Sequence, residues 1–420
     1  MLNILISLPS QREFKNLLAT PFFDLIKNDE HQYYIITHSE ELKNIIEPVA
    51  RNIECFVYKT PTNFQILFYR YFLERVYETV SLRNQETKDQ SIFYDRLKEF
   101  NKIKYILGLI SYYIYKRIGK NLFKKLEKLI YNDNFYKGFD VDKILITNYH
   151  SIHEKIIFFT LKNTPLYFFT DGWDAFTKQT FYSRSPDAFL LWNQPMKEML
   201  VKNCNINFKE CKLSVVGNPF WDTLPKIVNK NRNVLFFCNN SWVYNEQEVL
   251  FKIYSNVSNT LKFSIRLPPT DDYENKRSRY LTSFPYFNIN VMDIDFWLKY
   301  DLSKSHLFDY TYVSDLTKNN IFIFTGPSTA MLDVMEMNKY VVMVCLDYMH
   351  TDESLWNYNL TCDREVLNEI CNYEKFYKFN NIKDLLNFIN SFDLDDKNEA
   401  SVANDYSAQV YRELEDSNER

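Results

Sequence analysis

The sequence predicts an α/β protein with two doubly wound parallel sheets, and three features point there. Short β-branched and aromatic runs alternate with segments of helical apolar spacing through residues 2–58 and 143–216, and the alternation starts again at 234. A polar stretch, 229–233, separates the two runs as a hinge would. Residues 321–340, IFIFTGPSTAMLDVMEMNKY, set a buried strand, a tight turn and an amphipathic helix end to end, with a further strand at 341–345. A chain of 420 residues exceeds what one core usually supports. The expected division is therefore 1–228, 229–395 and an acidic tail, 396–420, that forms a last helix and frays.

In the first half, strands are expected at 2–8, 33–37, 53–58, 143–147, 165–170, 188–192 and 213–216, with helices at 13–28, 40–49, 152–161 and 195–204. At about 61–137 the alternation stops and a helical insertion takes over. Its centre, 105–115 (YILGLISYYIY), is framed by Lys102, Lys104, Lys116, Arg117, Lys120, Lys124, Lys125 and Lys128. Two readings stay open: a core helix with solvated basic ends, or contact of 102–128 with an anionic membrane surface. In the second half, strands are expected at 234–238, 263–267, 287–291, 321–324 and 341–345. Helices are expected at 244–261, 271–284, 364–373 and 382–391.

Composition excludes some functions. A formal charge of −4 and a pI near 6.0 argue against a general nucleic-acid binder, which needs a basic face. The 31 Tyr and 35 Phe, with abundant Asn, Lys and Ile, fit the bias of an A/T-rich genome, so aromatic clusters are no sign of base stacking. Seven scattered cysteines without a C-x-x-C pair read as reduced thiols. The start lacks a basic n-region, and no apolar run is long enough for a membrane span. The expected location is the cytoplasm, extending to the inner face of the plasma membrane if the basic helix meets lipid.

Two doubly wound, Rossmann-like domains facing a central cleft would carry their chemistry in the loops at the carboxyl ends of the strands. In the second domain, Gly326 lets the backbone approach a ligand closely, and Ser328 and Thr329 open a helix whose free amides suit an anion. Asn240 and Ser241 follow the first strand, Arg266 can fork onto a phosphate, and Asp333 can bond a ribose or sugar hydroxyl. In the first domain, His150 follows a strand, with His153 and Glu154 just beyond; it reads as a base or as part of a helix cap. His150 and His153 lack a third ligand by spacing, so no metal is expected. Asp171 and Asp174, with Gly172, Trp173 and Lys178, form the densest polar group at a strand end of that domain, where a carboxylate can take a proton from a hydroxyl. Gly217 and Asn218 allow a close turn at the last strand. Anion donors in one half and candidate bases in the other suggest a phosphate-bearing donor and a hydroxyl acceptor.

Three blocks, Asp171-Gly-Trp-Asp174, Asp187 to Asn193 with Met196-Lys197-Glu198, and Val216-Gly-Asn-Pro-Phe-Trp-Asp222, resemble GT-B fold glycosyltransferases of bacterial surface-polysaccharide biosynthesis, of capsule or lipopolysaccharide type. Arg266 to Asp271 and Gly326 to Asp333 resemble the donor-domain blocks of the same family. The resemblance implies metal-independent transfer of a sugar from a nucleotide sugar to a lipid-linked glycan acceptor, without a cofactor. By that likeness Asp171 or Asp174 is the base, with His150 as competitor, and Arg266, Ser328 and Thr329 hold the phosphate. Pro268-Pro269 stands where relatives carry a histidine before proline, which leaves the donor open. The alternatives are a CDP-glycerol-type polyol-phosphate transferase, a UDP-sugar 2-epimerase of the same fold, and a non-catalytic scaffold. Asp140-Val-Asp142 and Asp293-Ile-Asp295 match the metal-binding triplet of the other glycosyltransferase fold, which the two alternating halves disfavour.

Overall fold

The computed structural model describes residues 1–9, 11–84, 102–149, 151–170, 172, 182–204, 206, 208–225, 233–238, 246–256, 262–267, 288–291, 311–326, 328–345, 370–392 and 405–415. Two compact units divide it. The first is built on Met1–Thr223 and takes in the last helix, Tyr406–Glu415; the second begins at Leu224.

In the first unit, β1 (Asn3–Leu8), β2 (Gln32–Thr37), β3 (Ile53–Val57), β4 (Lys143–Ile146), β5 (Leu166–Phe169), β6 (Ala188–Leu191) and β7 (Lys212–Val215) form one parallel sheet in the order β3-β2-β1-β4-β5-β6-β7. The chain winds outward from β1 to one edge and then, from β4, to the other. The central strands read as continuous apolar runs because both faces are covered: every residue of β4, β5 and β6 is buried. The helix expected over 13–28 is two, Gln11–Leu17 and Pro21–Lys27. Pro21 cannot continue a helix, and the Thr20 hydroxyl accepts from Phe22 N (3.2 Å) to start the second.

The second unit repeats the winding. β8 (Val234–Phe237), β9 (Phe263–Leu267), β10 (Asn288–Val291), β11 (Ile321–Phe324), β12 (Tyr340–Val344) and β13 (Phe376–Phe379) run parallel in the order β10-β9-β8-β11-β12-β13. Its core joins Val234, Phe236, Ile321, Ile323, Val342 and Val344 to Leu385 and Ile389 of helix Ile382–Ser391. Helix Thr311–Lys318 and strand β13 were not expected from the sequence. The helix expected at 271–284 lies outside the described residues, as does most of the one at 364–373. Among the described residues Cys55, Cys204, Cys211, Cys238 and Cys371 are in no disulfide and Cys345 is in one, which corrects the reduced set expected for all seven.

Between β3 and β4 the described residues are helical: Asn63–Phe68, a π-helical turn Tyr69–Leu73, Glu74–Asn84, and Lys102–Tyr131, which breaks at Gly119 (φ 77°). Burial divides 105–115: Tyr105, Leu107, Leu109, Tyr112 and Tyr115 are partly buried, so the core-helix reading holds for part of the segment only. Gly108 and Ser111 face inward, whereas Ile106, Ile110, Tyr113 and Ile114 are exposed. No helix among the described residues is long and apolar enough to cross a membrane.

Candidate functional site

Each sheet has one point where the strand order reverses, and there the loops leaving two adjacent strands diverge and open a crevice at the carboxyl ends. In the second unit that point lies between β8 and β11, whose last residues pair, Phe237 with Phe324, with their rings stacked at 4.8 Å. The turn singled out from sequence leaves β11 here. Thr325 and Gly326 are buried, and Ser328 and Thr329 are partly exposed. Ser328 is not the cap of the following helix, Ala330–Glu336: Thr329 holds that position, while the Ser328 hydroxyl accepts from Ala330 N (3.3 Å) and its carbonyl from Met331 N (2.9 Å). Met337 caps the end of the helix, and Asn338, in left-handed conformation (φ 56°), turns the chain out of it.

Arg266, at the end of β9, is buried, with Nη1 on Asp315 Oδ2 (2.7 Å) and its guanidinium over the Tyr312 ring (4.8 Å). Its Nη2 has no hydrogen-bond partner among the described residues. Tyr312 OH donates to Asp333 Oδ2 (2.6 Å), and Asp333 is itself buried. The carboxylate expected to meet a sugar hydroxyl therefore ties helix Ala330–Glu336 to helix Thr311–Lys318, and one arm of the expected phosphate fork is committed to Asp315. Both bonds engage helix Thr311–Lys318, which the sequence did not foresee.

In the first unit the reversal lies between β1 and β4, and a buried carboxylate knits them together. Glu154, fully buried, accepts from Ser7 Oγ (2.7 Å) of β1 and from Thr147 N (2.9 Å), Thr147 Oγ1 (3.3 Å) and Asn148 N (2.6 Å) after β4. Burial pushes its pKa up to about 8, against the pull of these bonds. Tyr58 OH shares a 2.5 Å hydrogen bond with Ser7 Oγ, and its ring meets His153 at 4.8 Å. His153 is partly buried, its pKa is lowered by burial, and its Nδ1 has no partner among the described residues. Glu154 thus fixes the turn that precedes His150. Sequence reading noticed Glu154 only as a neighbour, because Ser7 lies 147 residues away.

His150, Asp171, Trp173, Asp174, Lys178, Asn240 and Ser241 lie outside the described residues. Gly172 is buried, as are Thr170 and Tyr182 on either side of the 171–181 segment, and the Tyr182 ring packs on Tyr149 (4.7 Å). Gly217 (φ 78°) lies beneath the Tyr406 ring, where a Cβ would stand 1.8 Å from Cδ1. Asn218 is buried, and its side chain accepts from Phe220 N (3.1 Å). Gly217 thus makes room for the last helix, and Asn218 shapes the close turn expected after β7. The block residues Asp187 and Asn193 are scaffold: Asp187 Oδ2 accepts from Leu166 N (2.8 Å) at the start of β5, and Asn193 Oδ1 caps helix Gln194–Asn203 through Met196 N (2.9 Å). Asp142 Oδ2 accepts from Asn3 N (2.8 Å) at the amino ends of β1 and β4, the end of the sheet opposite the crevice.

No family model matches the sequence, and no curated protein matches it. Among solved structures, a UDP-N-acetylglucosamine 2-epimerase is similar over 99% of this chain and 96% of its own, at 10% identity and a TM-score of 0.52. The Anabaena protein HepE, solved with UDP and glucose, is similar over 98% and 95% at 11% identity, with a TM-score of 0.47. The lipopolysaccharide outer core galactosyltransferase WaaB, in apo form, is similar over 98% and 99% at 11% identity, with a TM-score of 0.46. At such identities the likeness is one of fold: two Rossmann-like domains in a single chain, as in the 2-epimerase.

Proposed function

We propose that the chain is a nucleotide-sugar-using enzyme, a glycosyltransferase that moves a sugar from its donor to a hydroxyl of a lipid-linked surface glycan without a metal. The observation that carries this reading is the Gly326–Thr329 turn at the point of strand reversal in the second sheet, with a buried Arg266, one arm unpartnered, at the end of β9 on the other side of β8. Amides and hydroxyls of that turn, with Arg266 Nη2, offset the charge that develops on the leaving phosphate. The acceptor oxygen attacks the anomeric carbon, the bond from that carbon to the phosphate oxygen breaks, and Asp171, Asp174 or His150 takes the hydroxyl proton.

A second reading, 2-epimerisation of a UDP-sugar, is favoured by the fold likeness to the 2-epimerase. Incubation with a panel of nucleotide sugars, with and without a glycan acceptor and in the presence of chelator, separates the two. Acceptor-dependent release of nucleotide that survives chelation, and that Asp171→Asn or Asp174→Asn reduces by roughly a hundredfold or more, supports transfer. Conversion of the donor to its 2-epimer without acceptor supports the second reading, and no turnover with any donor contradicts both.

A further inference from the structure

Before its break at Gly119, helix Lys102–Tyr131 presents large apolar residues to the outside. The buried positions there are small, Gly108, where a Cβ would stand 2.4 Å from Thr79 Oγ1 of helix Glu74–Asn84, and Ser111; beyond the break Phe123, Glu127 and Tyr131 are buried. The outward stripe, Ile103, Ile106, Ile110 and Tyr113, is 74%, 54%, 52% and 63% exposed. A segment that served only a core would turn the isoleucines inward and the serine outward, because burying isoleucine is favourable and burying a hydroxyl is costly. Helix Asn63–Phe68 lies alongside, with Gln65 Nε2 donating to Ile130 O (2.8 Å), and it exposes Phe64 and Leu67 by 63% and 54%.

Charge identifies the partner. Residues 102–131 hold eight Lys and Arg against one acid, the buried Glu127, in a chain whose formal charge is −4. Lys102, Lys104, Lys116 and Arg117 are exposed around the isoleucine stripe. A second copy of the chain would bring two cationic faces together, which disfavours self-association. An exposed apolar stripe rimmed by cations suits a surface that offers hydrocarbon beneath anions.

We propose that this face docks the protein on an anionic phospholipid bilayer, the isoleucines entering the headgroup boundary and the basic side chains meeting lipid phosphates. The helix lies along the surface and does not cross it. The inference goes beyond the proposed activity and needs neither donor nor turnover, so either can fail without the other.

Sedimentation of the full chain with vesicles of phosphatidylcholine alone, or of phosphatidylcholine with phosphatidylglycerol, tests it. The expected result is binding at least roughly tenfold tighter to the anionic vesicles, weakening as salt rises, since each cation near such a surface is worth about fivefold. Ile106→Asn with Ile110→Asn, at exposed positions that leave the melting temperature unchanged, weakens that binding by roughly tenfold or more. Lys116→Glu with Arg117→Glu removes most of the preference for anionic lipid. Equal sedimentation with both vesicle types, or wild-type binding by the isoleucine variant, overturns the proposal. So does a dimer seen by light scattering and abolished by the isoleucine substitutions, which would assign the face to a second copy.

Discussion

Glu154 shows how one side chain sets local geometry at the first sheet's reversal. Its oxygens satisfy two backbone N–H groups and two hydroxyls that would otherwise be buried without partners. Glu154→Gln keeps the shape but turns an amide toward some of those donors, so it is expected to cost roughly 1–3 kcal/mol in urea unfolding at a pH above 8, where the carboxylate is ionised. Gly217 is the other position where one atom decides. With φ at 78° and Tyr406 directly above it, Gly217→Ala combines a strained backbone with a steric clash, and a loss of about 2 kcal/mol or more is expected by the same measurement. Neither role could be read locally in the sequence. The polar character of 148–154 was visible, but its meaning depends on Ser7 and Tyr58, which only the parallel pairing of β1 and β4 brings alongside.

Among the elements, the helical insertion is joined to the first unit through a buried polar group. Glu127 Oε1 accepts from Tyr77 OH and from Ser183 Oγ (3.0 Å), and Lys155 Nζ sits over the rings of Tyr77 (3.9 Å) and Tyr149 (4.5 Å). Burial raises the Glu127 pKa from 4.5 to about 7, with the Lys155 charge and the Ser183 bond opposing it. Burial lowers the Lys155 pKa from 10.5 to about 8, against the charges of Glu127 and Glu154. The folded state holds the Glu127 proton longer than the unfolded state does, so this contribution to stability is full below pH 4.5 and is lost as pH rises through about 7. Lys155 works in the opposite sense: the folded state releases its proton first, so stability is regained as pH rises from about 8 towards 10.5. Melting curves across pH should show that Glu127→Gln makes the descending limb between 4.5 and 7 shallower, Glu154 supplying the rest, and that Lys155→Met makes the ascending limb above 8 shallower, Lys339 supplying the rest. Parallel pH profiles for wild type and variants would contradict this. The insertion itself was legible from the break in alternation; the face it turns inward was not, since periodicity marks an apolar stripe without saying what the stripe meets.

For the molecule as a whole, the doubly wound order repeats in both units, and the chain ends in the unit where it began. The last helix expected in the acidic tail is present over Tyr406–Glu415 and is docked, not frayed. Asp222 caps Tyr406–Glu415 through Tyr406 N (3.1 Å) and Ser407 N (2.7 Å), Lys143 Nζ donates to Leu414 O (2.6 Å), and Val410 and Leu414 are buried. Removing residues 405–420 is expected to lower the first unit's melting transition by several degrees, because two buried apolar side chains and a cap are worth about 4–7 kcal/mol together; an unchanged transition would contradict the docking. Strand alternation made the two sheets legible, whereas β13, an edge strand with only partly buried side chains, gave no comparable apolar run.

The central claim is that the Gly326–Thr329 turn grips the phosphates of a nucleotide sugar, and the most direct test is the melting temperature of the full chain with and without UDP. Because a ligand that binds only the native state stabilises it, UDP should raise the melting temperature of the wild type. It should leave Ser328→Glu unmoved, since the new carboxylate stands where the phosphate is held. An equal rise in both proteins, or none in the wild type with any nucleotide, would contradict the account.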